Sequence, residues 1–455
     1  MRNKRVLIAN RGEIAVRIIR ACEESGIETV LAASEADEDS LAAKLADKVV
    51  CIGPAQAHQS YLNIPMIIAV AKGAGVDAIH PGYGFLSENP ELAAACEENG
   101  IIFIGPRSAT MRQLGDKISA RQLAIDCGVP INEGSQGLAD FRELETRAQE
   151  IGFPVLIKAS AGGGGRGMRI VRDPEDLKSA FNMASNEAQQ AFGDPTLFVE
   201  RYVDNGRHVE VQILGDNFGR VVHLGQRDCT PQRRYQKVVE EAQPADLAAD
   251  LAEAISDAAV ALAKGIDYNS AGTVEFLVDR DREQFYFMEV NTRIQVEHPV
   301  TEEVTGVDLV KEQIRLAFGQ QLTLRQPDIK FSGHSIECRV TAEDPRNDFM
   351  PTPGKITRFA VPFGEGIRVD THCYQGYKIT PFYDSLMAKV IATGDSRAQA
   401  LARLDNALAE FKIEGVSSNI AFLRYLINRP EFVSSDINVK WIENSVMADF
   451  LKTGE

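Results

Sequence analysis

The sequence predicts a soluble multidomain protein of mixed α/β and α+β class. Short apolar runs alternate with helical patterns up to about residue 115, and closely connected pairs of apolar runs follow to about residue 330. The first pattern predicts a parallel sheet, and the second predicts antiparallel sheets. A chain of 455 residues is long enough for about three domains.

The composition narrows the class of protein. Acidic residues outnumber basic ones, 65 against 49, and the formal net charge is -16. Binding to nucleic-acid phosphates needs basic surface, so we expect no nucleic-acid partner. Seven scattered cysteines without a C-x-x-C pair are typical of reduced thiols in a cytoplasmic protein. No apolar run approaches the ~20 residues that span a bilayer, so no membrane association is expected.

The first domain, residues 1–115, is predicted to be a Rossmann-like parallel sheet. Its buried strands are expected in KRVLIA, ETVLAAS, KVVCIG, DAIHPG and IIFIGP, with helices between them. The first turn reads Asn10-Arg11-Gly12-Glu13 and lacks the G-x-G-x-x-G pattern. Dinucleotide binding at this turn is therefore disfavoured.

The second domain, residues 116–330, is predicted to contain three strand pairs. These are FPVLIK with MRIVRD, HVEVQIL with RVVHLGQ, and TVEFLVD with QFYFMEV, and a helix is expected over 246–264. The third domain, residues 331–447, is predicted to be mixed α+β. Its strands are expected in HSIECRV, KITRFAV and LMAKVIA, before a helix at about 396–411.

A glycine-rich loop, residues 159–167, lies between the predicted strands FPVLIK and MRIVRD of the second domain. A Rossmann loop or a P-loop opens a helix, so the order strand–loop–strand excludes both. So many glycines are costly in conformational entropy if the loop only turns the chain. A flap that folds backbone N–H groups over a polyphosphate explains them, with Lys158 supplying a charge. The alternative is a flexible surface hairpin with a solvated lysine.

Polar residues then recur at a spacing of two. In an extended chain they share one face. They are Glu289, Asn291, Arg293, Gln295 and Glu297. The alternative is an amphipathic strand whose polar face lies in water.

The preceding hairpin favours a site over that alternative. If its turn centres on Arg282, Glu275 directly faces Glu289. Facing carboxylates are destabilising unless something neutralises them, and Mg²⁺ together with a nucleotide phosphate does so. Farther along, Arg293 is placed to bind a small oxyanion and Glu297 to act as a base. The pattern predicts phosphoryl transfer to a small acid.

Two further segments carry weaker signals. Residues 80–88, HPGYGFLSE, follow a predicted parallel strand, at the end of the sheet where binding loops lie. The alternative is a turn into the next helix. Residues 227–237 are basic within an acidic protein and favour an anion pocket. The alternative there is a solvated charged face.

Together, these motifs resemble biotin carboxylase, a family of the ATP-grasp superfamily. The resemblance spans nearly the whole chain. It rests on HPGYGFLSEN, GGGGRGM, QRRYQKVVEE, EVNTRIQVEHPVTE and GHSIECRVTAEDP, in family order. It implies an N-terminal domain over 1–115, an ATP-grasp domain over 116–330 with a mobile lid at about 131–203, and a C-terminal domain over 331–447.

The resemblance also implies an activity. It is ATP-dependent carboxylation of the biotin ureido N1, with bicarbonate as carbon source, carboxyphosphate as intermediate, and Mg²⁺ or Mn²⁺ as metal. No Ala-Met-Lys-Met biotinylation site is present, so biotin is expected on a separate carrier protein. The expected parent enzyme is acetyl-CoA carboxylase, with pyruvate or another acyl-CoA carboxylase as alternatives. Carboxyltransferase partners and a homodimer are implied, with Arg20 and Glu24 as candidate interface residues.

The resemblance assigns roles residue by residue. The implied metal ligands are Glu275, Glu289 and Asn291. The implied nucleotide-binding residues are Lys117, Lys158, Gly164, Gly165, Gly167, Met168, Glu200, Val203, His208, Gln232, Leu277, Met288 and Ile437. Bicarbonate is assigned to Lys237, Arg293, Gln295 and the backbone of Val296. Glu297 is the implied base, and Arg339, Tyr83 and Gly84 are the implied biotin contacts.

The chain departs from the family pattern at Tyr235, where the family usually has His, and at Gln243-Pro244. These departures indicate a divergent member. Two other functions are alternatives. Another ATP-grasp ligase is expected to lack HPGYGFLSEN and the Arg339 segment. A non-catalytic nucleotide-binding subunit is expected to have lost Glu297, Arg293 or a metal carboxylate. All of these features are present.

Overall fold

The N-terminal part of the chain folds around a five-stranded parallel sheet, which confirms the expected Rossmann-like architecture. This computed structural model describes residues 3–135, 137–138, 140–159 and 168–453. The strand order is β3-β2-β1-β4-β5, and every neighbouring pair is parallel. The strands are β1 (Arg5–Ile8), β2 (Glu28–Ala33), β3 (Lys48–Cys51), β4 (Ala78–His80) and β5 (Ile102–Phe103).

Both faces of this sheet are covered. Val6 and Ile8 of β1 pack into one buried cluster, whereas Leu7 packs into another on the opposite face. A strand covered on both faces needs an unbroken apolar run, which is what the sequence shows. The helices of this region are α1 (Gly12–Glu24), α2 (Leu41–Leu45), α3 (Ile64–Ala74), α4 (Pro90–Glu98) and α5 (Ser108–Gly115).

A small antiparallel sheet follows, with the order β7-β6-β8. Its elements are α6 (Lys117–Asp126), α7 (Phe141–Ile151), β6 (Val155–Ala159), β7 (Arg169–Val171), α8 (Leu177–Phe192) and β8 (Leu197–Arg201). β6 and β7 pair with Val155 opposite Val171, so the predicted order strand–loop–strand is confirmed. The loop's predicted nucleotide contacts Gly164, Gly165 and Gly167 lie outside the described residues.

An eight-stranded antiparallel sheet forms the centre of the molecule, and the last two predicted hairpins lie within it. Its order is β15-β14-β9-β10-β13-β16-β23-β21. The pairing of β13 with β16 continues it past residue 331 into the C-terminal part of the chain. The elements up to residue 317 are β9 (Gly206–Gly215), β10 (Val221–Asp228), β11 (Gln232–Arg233), β12 (Gln236–Lys237), β13 (Val239–Ala242), α9 (Ala249–Gly265), β14 (Ser270–Asp279), β15 (Gln284–Asn291), α10 (His298–Thr305) and α11 (Leu309–Ala317).

The C-terminal part adds the remaining strands and a helical cover. Its strands are β16 (His334–Thr341), β17 (Glu343–Asp344), β18 (Met350–Pro351), β19 (Gly354–Lys355), β20 (Arg358–Ala360), β21 (Ile367–Thr371), β22 (Lys378–Ile379), β23 (Leu386–Gly394) and β24 (Lys412–Glu414). Its helices are α12 (Arg397–Glu410), α13 (Ile420–Ile427), α14 (Pro430–Val433), a π-helical turn (Ile442–Val446) and α15 (Met447–Phe450). In the described part of the chain, no helix combines the length and the hydropathy needed to cross a membrane.

The predicted facing of Glu275 and Glu289 is confirmed, but the predicted turn is not its cause. The hairpin pairs Asp279 with Gln284, so the turn centres between Asp281 and Arg282. A β-bulge beyond Phe276 then shifts the register by one residue and brings Glu275 opposite Glu289. Bulges next to functional sites re-aim side chains in this way.

The predicted extended strand from Glu289 to Glu297 is wrong beyond Asn291. β15 ends at Asn291, and Glu297 is the N-cap residue of α10. Pro299, in the first turn of α10, suits the start of a helix rather than a continued strand. Proline has no N–H for a sheet ladder, but it is well tolerated in the first turn of a helix.

A buried ion pair joins the central sheet to the C-terminal helices. The Glu241 carboxylate on β13 accepts hydrogen bonds from Arg397 Nε at 2.7 Å, from Arg397 Nη2 at 2.8 Å and from His334 Nε2 at 2.8 Å. Burial acts against ionisation, but Arg397 and His334 outweigh it and lower the pKa of Glu241 to about 2.

We predict that Glu241→Gln lowers the free energy of unfolding by about 3 kcal/mol at pH 7. The folded-state pKa lies below the unfolded one, so the stabilisation is complete above the ordinary pKa of 4.5. It is lost as the pH falls through about 2, so the difference from wild type should shrink in that window. Urea unfolding at pH 7 and pH 3 measures it. Glu414→Gln, which breaks an exposed pair with Arg358, is the matched control and should change stability by less than about 1 kcal/mol. An equal loss at both pH values would contradict the prediction.

Candidate active site

A cleft of about 710 Å³ collects the predicted catalytic, metal and substrate residues. The N-terminal part of the chain, the central sheet and the C-terminal part all contribute to its walls. Its lining includes Tyr83, Gly84, His208, Lys237, Glu275, Glu289, Asn291, Arg293, Gln295, Val296, Glu297 and Arg339. Residues far apart in sequence thus meet in one place.

Lys237 occupies the middle of the cleft wall. Its Nζ donates hydrogen bonds to Glu210 at 2.6 Å, to Glu275 at 2.9 Å and to Glu297 at 2.7 Å. Burial acts against its charge, but the acidic groups around it raise the pKa of Lys237 well above its ordinary value. A single ammonium group therefore bridges three buried carboxylates.

Each of these carboxylates also lies beside a second basic side chain, an arginine or a histidine. Glu210 accepts from Arg227 Nε at 2.6 Å, and Glu297 accepts from Arg339 Nη2 at 3.0 Å. Nε2 of His208 lies 3.2 Å from Glu275. Burial opposes protonation of this imidazole, but Glu275 raises its pKa above the ordinary value.

Glu297 is held as a carboxylate. Its side chain has no exposed surface. Burial acts against ionisation, but Lys237, Arg339 and Arg227 outweigh it and lower the pKa of Glu297 below the usual range. A carboxylate becomes a stronger base when its cationic partners turn toward a bound anion, which is the situation expected with an anionic substrate in the cleft.

The predicted metal ligands lie at the end of the β14–β15 pair. The carboxylates of Glu275 and Glu289 face each other, and Asn291 lies two residues farther along. Desolvation by the surrounding protein and repulsion from the neighbouring Glu275 carboxylate raise the pKa of Glu289 above its ordinary value. Two carboxylates and an amide oxygen are the hard donors that Mg²⁺ prefers, so this donor set fits the ion.

Hydrogen bonds from near and distant neighbours hold two of the predicted oxyanion residues, Arg293 and Val296. Arg293 donates from Nε to Glu88 at 3.0 Å and from Nη2 to Asn291 at 2.8 Å. The backbone carbonyl of Val296 accepts from Lys389 Nζ at 2.8 Å. These contacts hold the irregular segment between β15 and α10 against the cleft.

A second, smaller pocket of about 200 Å³ adjoins the cleft. Lys158 and Glu200 form an ion pair in its wall, with Nζ and Oε2 2.5 Å apart. Leu277 and the bulged residue Met288 supply apolar wall. Its lining includes Lys117, Arg121, Lys158, Glu200, Leu277, Met288 and Glu289. Glu289 also lines the large cleft, so this residue belongs to the walls of both spaces.

Other predicted nucleotide residues do not line the smaller pocket. Val203 and Ile437 are buried, and Ile437 belongs to the C-terminal core cluster. Gln232 Nε2 lies 2.7 Å from His208 Nδ1 and donates to the carbonyl of Cys229. Met168 is half-buried beside the undescribed loop. His208 lines the large cleft instead.

Sequence reasoning missed Glu210, Glu240, Glu88 and Lys389. A signal for Glu210 was available. In His208-Val-Glu210-Val-Gln212 the polar residues alternate with valines, yet the side chains of Glu210 and Gln212 are fully buried. A polar row inside a strand with apolar alternates marks either a solvated face or a buried polar network. The sequence alone does not separate these two.

Comparison with known proteins identifies the family. Residues 2–111 match the model of the biotin carboxylase N-terminal domain, and residues 337–444 match that of the biotin carboxylase C-terminal domain. Residues 116–325 match the ATP-binding domain of the carbamoyl-phosphate synthase L chain. The matches of both flanking domains to biotin carboxylase decide between biotin carboxylase and carbamoyl-phosphate synthase. The chain belongs to the biotin carboxylase family.

The relatives agree with this assignment. Biotin carboxylase 1 of Bacillus subtilis is 51% identical over 441 residues, which are 97% of this chain and 98% of the relative. A pyruvate carboxylase subunit of Methanothermobacter thermautotrophicus is 48% identical over 96% of this chain and 89% of the relative. A biotin carboxylase is a ligase and forms part of a biotin-dependent carboxylase. Both statements hold for this chain.

A solved structure agrees as well. The biotin carboxylase domain dimer of Hydrogenobacter thermophilus 2-oxoglutarate carboxylase, in complex with MgADP, ADP and bicarbonate, superposes with a TM-score of 0.93. The two chains are 46% identical, and the match covers 99% of each.

We predict that Lys237→Met lowers the free energy of unfolding by about 3–5 kcal/mol, since it removes the shared cation from three buried carboxylates. Thermal and urea unfolding of the purified variant measure the loss. Lys452→Met, which removes an exposed ion pair with Asp449, is the control and should cost less than about 1 kcal/mol. Equal stability of the two variants would show that Lys237 has no such role.

Proposed function

We propose that the chain carboxylates the ureido N1 of carrier-bound biotin, using ATP and bicarbonate through carboxyphosphate. The observation that carries this proposal is that the two pockets share Glu289 in their walls. A nucleotide in the smaller pocket would direct its γ-phosphate toward Glu297 and Arg339 in the cleft. The MgADP and bicarbonate held by the similar Hydrogenobacter structure support the proposal.

The smaller pocket is the proposed nucleotide site. Lys117 and Lys158 are proposed to bind the phosphates, Leu277 and Met288 to contact the adenine, and Glu200 to lie at its edge. The family resemblance extends the site to Gly164, Gly165, Gly167, Met168, Val203, His208, Gln232 and Ile437. The glycine-rich loop is then the lid that closes over the phosphates.

Glu275, Glu289 and Asn291 are proposed to hold Mg²⁺, for which Mn²⁺ can substitute. When bound there, the ion would supply positive charge to neutralise the phosphate oxygens. Lys237 and Gln295 donate hydrogen bonds to Glu275, so nucleotide binding is expected to redistribute these contacts.

The first chemical step uses the residues around Glu297. Lys237, Arg293, Gln295 and the backbone of Val296 are proposed to bind bicarbonate. Glu297 takes the bicarbonate proton, and the freed oxygen attacks the γ-phosphorus. The bond between that phosphorus and the β–γ bridging oxygen breaks, and ADP leaves. The product is carboxyphosphate.

The second step transfers the carboxyl group. Carboxyphosphate breaks down to CO2 and phosphate, and the phosphate takes the proton from biotin N1. The nitrogen then bonds to the CO2 carbon. Arg339 stabilises the negative charge on the ureido oxygen, with Tyr83 and Gly84 beside the ring.

The partners are proposed on the same basis. They are a biotin carboxyl carrier protein and carboxyltransferase subunits, and the chain is proposed to form a homodimer, as the Hydrogenobacter domain does. Arg20 is exposed on α1, whereas Glu24 forms an ion pair with Lys311 of its own chain. Acetyl-CoA is the proposed final acceptor. Pyruvate is the second candidate because one of the relatives belongs to a pyruvate carboxylase.

We predict that ADP release requires ATP, Mg²⁺ and bicarbonate and rises strongly with free biotin. Glu297→Gln should lower the bicarbonate-dependent rate by about 10²–10⁴-fold, the usual contribution of a general base. Arg339→Ala should lose the biotin stimulation but keep the bicarbonate-dependent rate. Glu303→Gln, on the helix that Glu297 caps, is the control and should behave as wild type. Biotin stimulation that survives in Arg339→Ala would remove Arg339 from the second step.

The acceptor is tested with the assembled carboxylase. We expect transfer of labelled carboxyl from the carrier to acetyl-CoA rather than to pyruvate or 2-oxoglutarate. Transfer only to a 2-oxo acid would show that acetyl-CoA is not the acceptor. It would not contradict the proposed carboxylation of biotin.

A further inference from the structure

Two glutamates face each other in the middle of the central sheet, behind the cleft wall. β13 and β16 pair antiparallel, with Glu240 directly opposite Glu337. Both side chains have no exposed surface. Like charges opposite each other on neighbouring strands are destabilising, and their burial without compensation is costly. Something must therefore neutralise this pair.

Among the described residues, hydrogen bonds from the surroundings reach only one of the four carboxyl oxygens. Glu240 Oε1 accepts from Arg339 Nε at 2.5 Å. Within the described residues, Glu240 Oε2 and both carboxyl oxygens of Glu337 have no hydrogen-bond partner. A buried ionised carboxylate normally accepts several hydrogen bonds, whereas a protonated one supplies a donor of its own.

The nearby cations are shared with other acidic or carbonyl groups. Arg339 also binds Glu297. Lys389, on the neighbouring strand β23, lies 3.0 Å from Glu13 and donates to the carbonyl of Val296. The ionisable groups that act on the pair are Arg339 and Cys338 on β16, Lys237 on β12, Lys389 on β23, Cys229 after β10 and Glu297 before α10.

Helix α10 packs on both strands and adds no free charge to the pair. Burial and the nearby cations Lys389, Arg17 and Arg368 lower the pKa of His298 well below its ordinary value, which favours the neutral imidazole. Glu302 is bound by Arg17 and Arg368.

The environment acts in opposite directions on the two sides of Arg339. Burial is the main cause that raises the pKa of Glu240 to about 7, and it raises the pKa of Glu337 well above the ordinary value. The pKa of Glu297, on the cleft side of the same guanidinium, is lowered. Divergent carboxyl groups around one site mark a division of roles between acid and base.

We propose that Glu240 and Glu337 form a proton-holding carboxyl pair behind Arg339, in which Glu337 stays protonated while Glu240 gains and loses a proton. The pair is a positioning device. With Glu240 protonated, the guanidinium is drawn mainly toward Glu297 and toward a substrate oxygen in the cleft. With Glu240 ionised, a charge-assisted bond retains the guanidinium at the sheet.

Loss of the Glu240 proton makes the use of biotin depend on pH. Glu240 holds its proton below about pH 7 and loses it above. Retention of Arg339 therefore increases as the pH rises, and kcat/KM for biotin should fall by about tenfold for each pH unit beyond the transition. This consequence rests on the proposed contact of Arg339 with biotin, whereas the protonation of the pair does not.

Infrared spectroscopy of the full chain tests the pair without reference to activity. A protonated carboxyl has a carbonyl stretch that a carboxylate lacks. We expect wild-type protein to show buried protonated carboxyl bands at pH 6, one of which disappears by pH 8.5 while another persists. Glu337→Gln should remove the persistent band. Absence of any such band in wild type would overturn the proposal, even if the variant fails to fold.

Kinetics test the role of the pair. Gln has the shape of a neutral Glu, so Glu337→Gln should keep kcat/KM for biotin within about tenfold of wild type at pH 7. Glu240→Gln should abolish the fall in kcat/KM between pH 7 and pH 8.5, because no proton remains to be lost. A larger loss in Glu337→Gln, or a wild-type pH profile in Glu240→Gln, would overturn the proposal.

Glu241→Gln is the matched control. Its carboxylate is buried on the same strand but binds Arg397 and His334 instead of Arg339. It should lose stability and keep the wild-type pH profile. If wild-type protein shows no biotin-stimulated ADP release at all, the proposed function fails, and the infrared result still decides the protonation of the pair.

Discussion

The ammonium group of Lys237 is the contact on which the rest of the site depends. It bridges Glu210, Glu275 and Glu297, whose side chains come from β9, from β14 and from the turn before α10. Without a shared cation, three buried carboxylates within reach of one another would repel and would each lose solvation. A single charge therefore holds the proposed metal ligand Glu275, the proposed base Glu297 and the buried Glu210 in one arrangement.

The same contact explains how the site can respond to substrate. Lys237 and Arg339 neutralise Glu297 in the structure, so this carboxylate is a weak base until an anion competes for the two cations. Bicarbonate and the nucleotide phosphates are such anions. Their binding and the strengthening of the base are thus two results of one exchange of partners. The carboxyl pair of Glu240 and Glu337 extends this exchange to the far side of Arg339.

The continuity of the central sheet makes the exchange possible. Arg339 lies on β16 and Glu240 on β13, so the C-terminal part of the chain is joined to the centre by strand pairing rather than by surface contact. Strand pairing fixes register to a single residue. The backbone position of Arg339 is therefore fixed, and its guanidinium lies within reach of both Glu240 and Glu297.

Much of this molecule is readable from residue patterns, because burial of a strand face or a helix stripe leaves a period of two or of 3.6 in the sequence. The five parallel strands follow from unbroken apolar runs, whereas the hairpins and the row from Glu289 to Asn291 follow from such periods. The family motifs then identify the cleft residues. Tertiary structure decided what local patterns do not encode. The bulge that aligns Glu275 with Glu289, the turn that carries Glu297 out of the strand, and the meeting of Glu240 with Glu337 all depend on register between segments. Register is set by the packing of the whole sheet, so no single segment contains it.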